Sequence, residues 1–329
     1  MIEKPEQFIP SIFNTSDTDF DVCCLQIFQF QVNNNNIYHK YCQQFKPEAF
    51  SIASADEIPF LPVSFFKTHD VVSTDKKPEQ IFTSSGTTGI TTARHLVPDI
   101  SIYEQSFLKT FRLFYGDPSE YAFFCLLPGY LERPGSSLIY MAQHLMEASG
   151  QEQGGFFLDA GEKMISQLQK RELAGKKSFL LGVSFALLDF AEKQPLPLKN
   201  TIIMETGGMK GRRREMTRME LHETLQNAFS VDVIHSEYGM TELLSQGYSK
   251  GNGLYRCPPW MQVRVRAEDD PRKISRQGAG LLCIIDLANV YSCSFIETAD
   301  VGKVYPDGSF EVLGRMDNSD IRGCSLLVV

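Results

Sequence analysis

From about residue 80 onward the sequence alternates between short apolar runs and amphipathic stretches, and that rhythm leaves few architectures open. Apolar runs stand at residues 122–127, 156–158, 178–181, 201–204 and 231–234. Between them, patterns with helical spacing cover residues 136–148, 162–174, 185–193 and 212–229. Strands alternating with helices imply α/β layers with parallel strands. After residue 250 the character changes. Residues 261–266 and 281–286 read as strands, and residues 301–304 and 309–313 as a hairpin around Pro306-Asp307-Gly308. A β-rich segment therefore follows an α/β body. The first 60 residues carry the least pattern, and their polar run at 33–36 reads as a loop.

Charge and cysteine usage narrow the partners. With 32 basic against 40 acidic residues the net charge is −8, which argues against nonspecific nucleic-acid binding. The one basic cluster, Arg212-Arg213-Arg214, opens the 212–229 helical pattern, whose apolar positions are Met216, Met219, Leu221, Leu225 and Phe229. It reads as a solvated helix face or as a phosphate contact. The eight cysteines form no C-x-x-C pair. The start of the sequence has no signal-like apolar core, and no 18-residue apolar run crosses a membrane. The expectation is a reduced cytoplasmic protein with buried thiols at seven of the eight cysteines.

The chemistry begins at Thr83-Ser84-Ser85-Gly86-Thr87-Thr88-Gly89, just after the apolar pair Ile81-Phe82. Two glycines and five hydroxyls in seven residues suit neither a helix nor a strand. Small residues let backbone N–H groups converge on one point, and the hydroxyls add donors, so the run reads as a polyphosphate cradle or as a plain Ser/Thr-rich turn. It is not a Walker loop, because Ile90 and Thr91 stand where Gly-Lys-Ser/Thr would continue.

Three further segments follow in order: Glu237-Tyr238-Gly239-Met240-Thr241-Glu242, Thr298-Ala299-Asp300, and Gly314-Arg315-Met316-Asp317 with Ile321-Arg322-Gly323 behind it. Together with the loop they resemble the ordered signatures of the adenylate-forming enzymes: acyl-CoA synthetases, luciferases and peptide-synthetase adenylation domains. The resemblance implies layered parallel and mixed sheets of that family's large domain, with a β-rich C-terminal subdomain. It divides the chain into an α/β body of about 60–250, a β-rich part of about 251–315 and a tail of 316–329.

It also implies roles. Ser84, Ser85, Gly86, Thr87, Thr88 and Gly89 would hold ATP phosphates. Gly207, Gly208 and Met209 would wall the adenine, or else form a tight turn. Tyr238 and Gly239, just past a strand's carboxyl end, would border the base, where open α/β sheets bind ligands. Thr241 would donate to the α-phosphate. Glu242 would hold Mg²⁺, or else serve as a helix N-terminal charge. Asp300 would accept from the ribose hydroxyls, and Arg315 would reach the ribose or phosphate. Where the family has x-Pro-Lys after its second glycine, this chain has Ile90-Thr91-Thr92-Ala93-Arg94-His95, so Arg94 would be the substitute for the missing cation, at altered spacing.

Within that superfamily the chain resembles most the acyl-protein synthetases of the LuxE type, on Pro62-Val63-Ser64-Phe65-Phe66-Lys67, Leu127-Pro128-Gly129-Tyr130-Leu131-Glu132-Arg133, Gly135-Ser136-Ser137 and Asp320-Ile321-Arg322-Gly323-Cys324. With the sequence ending at Val329, the resemblance leads to the expectation that the small lid domain and its lysine, which most of the superfamily carries, are missing. In the LuxE type a cysteine near the C-terminus takes the acyl group as a thioester, and Cys324 is the candidate here. Arg322 would favour its thiolate and Gly323 would free the tail. The alternative is a buried tail thiol beside Leu326 and Leu327. His95, His144 and His235 are candidate bases or else satisfied structural histidines, with His235 the foremost candidate because it adjoins the tyrosine–glycine segment.

The expected reaction is ATP- and Mg²⁺-dependent activation of a fatty or other carboxylic acid, followed by transfer to Cys324 and on to a reductase or transferase protein. A second reading transfers the acyl group to coenzyme A or a carrier. A third makes the chain a nucleotide-binding protein without catalysis.

Overall fold

The computed structural model describes residues 4–84, 92–128, 135–207, 216–267, 270 and 272–316. The chain divides into two compact units, one formed by residues 76–258 and one by residues 1–75 with 259–329.

The 76–258 unit is the α/β layer. Its parallel strands run in the spatial order Gly155–Phe157, Ala122–Leu126, Ser178–Val183, Thr201–Thr206 and His235–Tyr238. Gly247–Ser249 and Tyr255–Arg256 then continue it antiparallel. Every residue of Ala122–Leu126 and Ser178–Val183 is buried. Unbroken burial of this kind is what a parallel strand covered on both faces requires, and it explains why these runs do not alternate in polarity. The helices Ile100–Tyr115, Ser137–Ser149, Glu162–Leu173, Ser184–Lys193 and Arg218–Phe229 supply the connections and the cover. A separate antiparallel hairpin, Gln80–Thr83 with Arg94–Val97, leads into and out of the glycine–hydroxyl loop.

Two boundaries differ from the sequence expectation. The last helix begins at Arg218, not at residue 212. Thr217 Oγ1 accepts from the Glu220 amide at 3.2 Å, and the Glu220 carboxylate accepts from the Thr217 amide at 2.8 Å. That reciprocal cap fixes the start, so Met216 lies outside the helix and Met219 is exposed, while Leu221, Leu225 and Phe229 are buried. Arg212, Arg213 and Arg214 lie outside the described residues. The strand expected at 231–234 is instead His235–Tyr238, set by the pairing of Met204 with His235 and of Thr206 with Glu237.

In the other unit, Ile274–Ser275, Met261–Arg266, Gly278–Asp286, Phe295–Val304 and Phe310–Arg315 are antiparallel neighbours in that order, the last three forming a meander, with Leu61–Pro62 added in parallel to Phe295–Val304. The expected hairpin around Pro306-Asp307-Gly308 is present, with Val304 opposite Phe310. The run at 33–36 is not a loop. Helix Phe20–Asn34 is followed directly by helix Asn36–Phe45, and Asn35 caps the second by accepting from the Ile37 and Tyr38 amides. The Asn35 side chain also donates to the Ser292 carbonyl at 3.0 Å. Gln31, fully buried, donates to the Asn289 and Val290 carbonyls and accepts from the Ser294 amide. These side-chain bonds seat the N-terminal helices on the meander. Cys23, Cys24, Cys42, Cys125, Cys283 and Cys293 are buried and unbridged, and Cys257 is half-buried.

Candidate active site

The carboxyl ends of three neighbouring parallel strands converge at residues 183–184, 206–207 and 237–238. At the tip of Thr201–Thr206, Gly207 takes φ +67°, a left-handed turn that glycine accommodates without strain. Its carbonyl lies 2.9 Å from Ser184 Oγ, which also approaches Glu205 Oε2 at 3.2 Å. Of the expected Gly207, Gly208 and Met209, the first forms a left-handed turn at this strand tip, and the other two lie outside the described residues.

On the adjacent strand Glu237 is buried, and Thr206 Oγ1 donates to its Oε2 at 2.5 Å. Burial pushes the Glu237 carboxyl up to about 7; Thr206 counteracts this and the Glu205 charge adds to it. Beside it, Glu205 faces Arg218 Nε at 3.5 Å and His222 Nε2 at 3.7 Å, so the two carboxyls differ in having a cationic neighbour. Tyr238 closes the strand rather than following it. Its ring is buried, edge-on to Tyr255 at 6.0 Å, and the Arg218 guanidinium lies 5.3 Å above the Tyr255 ring. Gly239 is exposed, and a Cβ there would collide with Glu237 Oε1. A side chain at this step would push the buried Glu237 carboxylate out of its place.

Thr241 is half-buried and Glu242 buried in the turn that follows, where Leu243 N donates to Met240 O at 3.1 Å. Glu242 does not open a helix, so the helix-charge reading of this residue is not met. Thr241 is anchored from the hairpin: His95 Nδ1 lies 2.8 Å from its carbonyl oxygen. The His95 ring is buried, and burial pushes its pKa down to about 4, so it is neutral at physiological pH. Ser84, expected at the phosphates, accepts from the Ala93 amide through Oγ at 2.9 Å while its own amide donates to Ala93 O at 3.0 Å, which closes the neck of the loop. Ser85, Gly86, Thr87, Thr88 and Gly89 lie outside the described residues, as does Cys324. Arg94 is exposed on the returning strand.

The other candidate bases have structural surroundings. His235 opens its strand, not the turn, with Nδ1 3.2 Å from Tyr115 Oη. Burial and the Lys250 charge push its pKa down to about 4. His144 stacks on Tyr140 at 4.1 Å and lies 3.5 Å from Glu104. In the other unit Asp300 and Arg315 are register partners on adjacent strands, with Nε 4.0 Å from Oδ1; Asp300 is mostly buried and Arg315 exposed. Glu237 and Thr206 are the residues that pattern alone does not single out. The one available signal is a carboxylate in a strand otherwise destined for burial.

Among the described residues no helix is long and apolar enough to cross a membrane. Residues 14–112 match the family described as acyl-protein synthetase, LuxE. The long-chain-fatty-acid–luciferin-component ligase of Vibrio harveyi is 22% identical, over 91% of this chain and 84% of that protein. Among solved structures, ATP-bound MatB from Rhodopseudomonas palustris superposes with a TM-score of 0.53 at 16% identity, over 74% of this chain and 49% of that one. A long-chain-fatty-acid-CoA ligase from Archaeoglobus fulgidus gives 0.51 at 15% identity, over 72% and 51%. The chain spans about half the length of the solved structures it matches. It has the fold of the adenylate-forming enzymes and is related to the LuxE-type acyl-protein synthetases.

Proposed function

We propose that this protein activates a fatty acid with ATP and passes the acyl group to Cys324, and from there to an acceptor protein. The observation that carries the first step is the turn after Tyr238. Thr241 and Glu242 sit at the carboxyl end of parallel strands, held by His95 from the very hairpin that carries the glycine–hydroxyl loop. The name of the Vibrio harveyi relative supports a long-chain fatty acid as substrate.

In the first step a carboxylate oxygen attacks the α-phosphorus of ATP. The bond to the β-phosphate oxygen breaks and pyrophosphate leaves, giving acyl-AMP. Thr241 donates to the α-phosphate, the 83–89 loop holds the others, and the Gly207 and Gly239 backbone lets the nucleotide approach. Asp300 and Arg315 are assigned to the ribose on motif grounds. Glu242 is the metal residue. A carboxylate is a hard oxygen donor, which fits Mg²⁺, and Glu242 would supply one such ligand. Bound there, Mg²⁺ would supply charge neutralisation to the phosphates. In the second step the Cys324 thiolate attacks the acyl carbon, AMP leaves with the bonding pair, and a thioester remains.

Incubation with ATP and labelled fatty acid is expected to leave hydroxylamine-sensitive label on the wild type and none on Cys324→Ala, while acid-dependent pyrophosphate exchange persists in both. Equal labelling of both proteins would refute the transfer step. Turnover that appears only with added coenzyme A, and survives Cys324→Ala, would instead favour an acyl-CoA ligase. Exchange that is absent from the wild type would remove the activation step.

A further inference from the structure

The His95 ring is buried in the strand that returns from the glycine–hydroxyl loop, opposite Phe82 in the hairpin register. Phe82 is itself wedged edge-on between Tyr103 and Tyr140, at 5.3 and 5.7 Å, so the hairpin is fixed to helices Ile100–Tyr115 and Ser137–Ser149. The Thr83 amide donates to Gly135 O at 2.8 Å, a second attachment at the base of the loop. From this anchored strand the imidazole meets the Thr241 carbonyl at 2.8 Å, across 146 residues of sequence. A carbonyl oxygen can only accept, so Nδ1 carries the hydrogen and the neutral ring is held in that one tautomer. The carbonyl belongs to the peptide joining Thr241 to Glu242. Its orientation therefore sets ψ of Thr241 and φ of Glu242, the backbone from which both side chains project.

We infer that His95 is a positioning residue that fastens the Thr241–Glu242 peptide to the hairpin of Gln80–Thr83 and Arg94–Val97, so that the turn assigned to the α-phosphate and the metal keeps a fixed place against that hairpin. This inference rests on the acyl-adenylate reading for its catalytic consequence, but not for its structural content. His95 is not a base: its Nδ1 hydrogen is committed to Thr241, and its ring is enclosed.

Three substitutions separate positioning from bulk packing. In His95→Asn the amide nitrogen reaches about where the Nδ1–H stands. In His95→Gln the amide extends to the Nε2 side, and in His95→Leu only apolar volume is kept. Hydrogen–deuterium exchange on the whole protein reads the result directly. The Leu243 amide in the Met240–Leu243 turn is expected to exchange about fivefold faster in the Leu and Gln variants, as loss of one neutral hydrogen bond implies. The Asn variant is expected to stay near wild type, and strands Ala122–Leu126 and Ser178–Val183 to be unchanged in all three. In acid-dependent pyrophosphate exchange the Leu and Gln variants should lose about tenfold in kcat, with the KM for the acid unaltered and Asn rescuing. Wild-type protection of Leu243 in His95→Leu would overturn the inference, and so would uniform loosening that Asn fails to rescue. Should the wild type show no acid-dependent exchange, the acyl-adenylate reading falls, while the deuterium comparison still decides whether His95 fastens the turn.

Discussion

At the scale of single residues, the informative side chain is Glu237. It lies beneath an exposed glycine, holds the Thr206 hydroxyl, and has its carboxyl pushed up to about 7 chiefly by burial. Between an ordinary carboxyl pKa near 4.5 and about 7, the unfolded chain releases this proton and the folded chain keeps it. The folded state then binds more protons, so the residue's contribution to stability falls as pH rises through that window. Integrated over the shift, the penalty is about 3 kcal/mol above pH 7. Glu237→Gln retains an acceptor for Thr206 and cannot ionise. Its thermal midpoint should match wild type near pH 5 and exceed it by several degrees at pH 8. A constant difference across the range would show that Glu237 is ionised in the fold.

At the scale of elements, the termini are set by side chains more than by apolar rhythm. The cap joining Thr217 and Glu220 places the start of Arg218–Phe229 six residues later than hydrophobic spacing suggests. Thr217→Ala is expected to lower stability by about 1 kcal/mol, or about 2–4 °C in a unit of this size, with Thr217→Ser near wild type; the thermal midpoint of each variant reads this. The same logic explains what was legible. Runs such as Ala122–Leu126 and Ser178–Val183 are apolar throughout because both faces are covered, and the sequence announces them. The segment at 33–36 reads as polar and loop-like because the partner that makes Asn35 a buried cap is Ser292, 257 residues away. The strand ending in Tyr238 was displaced from 231–234 to 235–238 because its polar residues Ser236 and Glu237 are buried, and half-buried His235 pairs with Met204 on the neighbouring strand. Of the candidate site, Gly207, Gly239 and the Thr241–Glu242 pair were singled out by motif resemblance alone, which needs no knowledge of their neighbours in the fold. Glu237, Thr206 and the role of His95 were not, since each depends on a neighbour supplied by another strand.

At the scale of the whole molecule, three groups of the α/β unit whose protonation burial shifts, Glu237, His95 and His235, oppose one another in acid. His95 and His235 are both pushed down to about 4, in each case first by burial. As pH falls below 6.5 the unfolded chain takes up protons at these positions and the folded chain does not, so stability is lost until pH reaches about 4. His95 accounts for about 3 kcal/mol of that loss and half-buried His235 for less. Glu237 works the other way over nearly the same interval, gaining about 3 kcal/mol on acidification from pH 7 to 4.5. The wild-type thermal midpoint should therefore decline only gently between pH 7 and 5, the histidines outweighing the acid by a small margin. Removing the counterweight in Glu237→Gln should steepen the decline. Replacing one histidine in His235→Phe, which keeps an aromatic ring beside Tyr115, should flatten or reverse it. Thermal midpoints of the three proteins at half-unit pH intervals test the balance directly. Parallel curves would mean that these groups do not govern the acid response and that exposed carboxylates do.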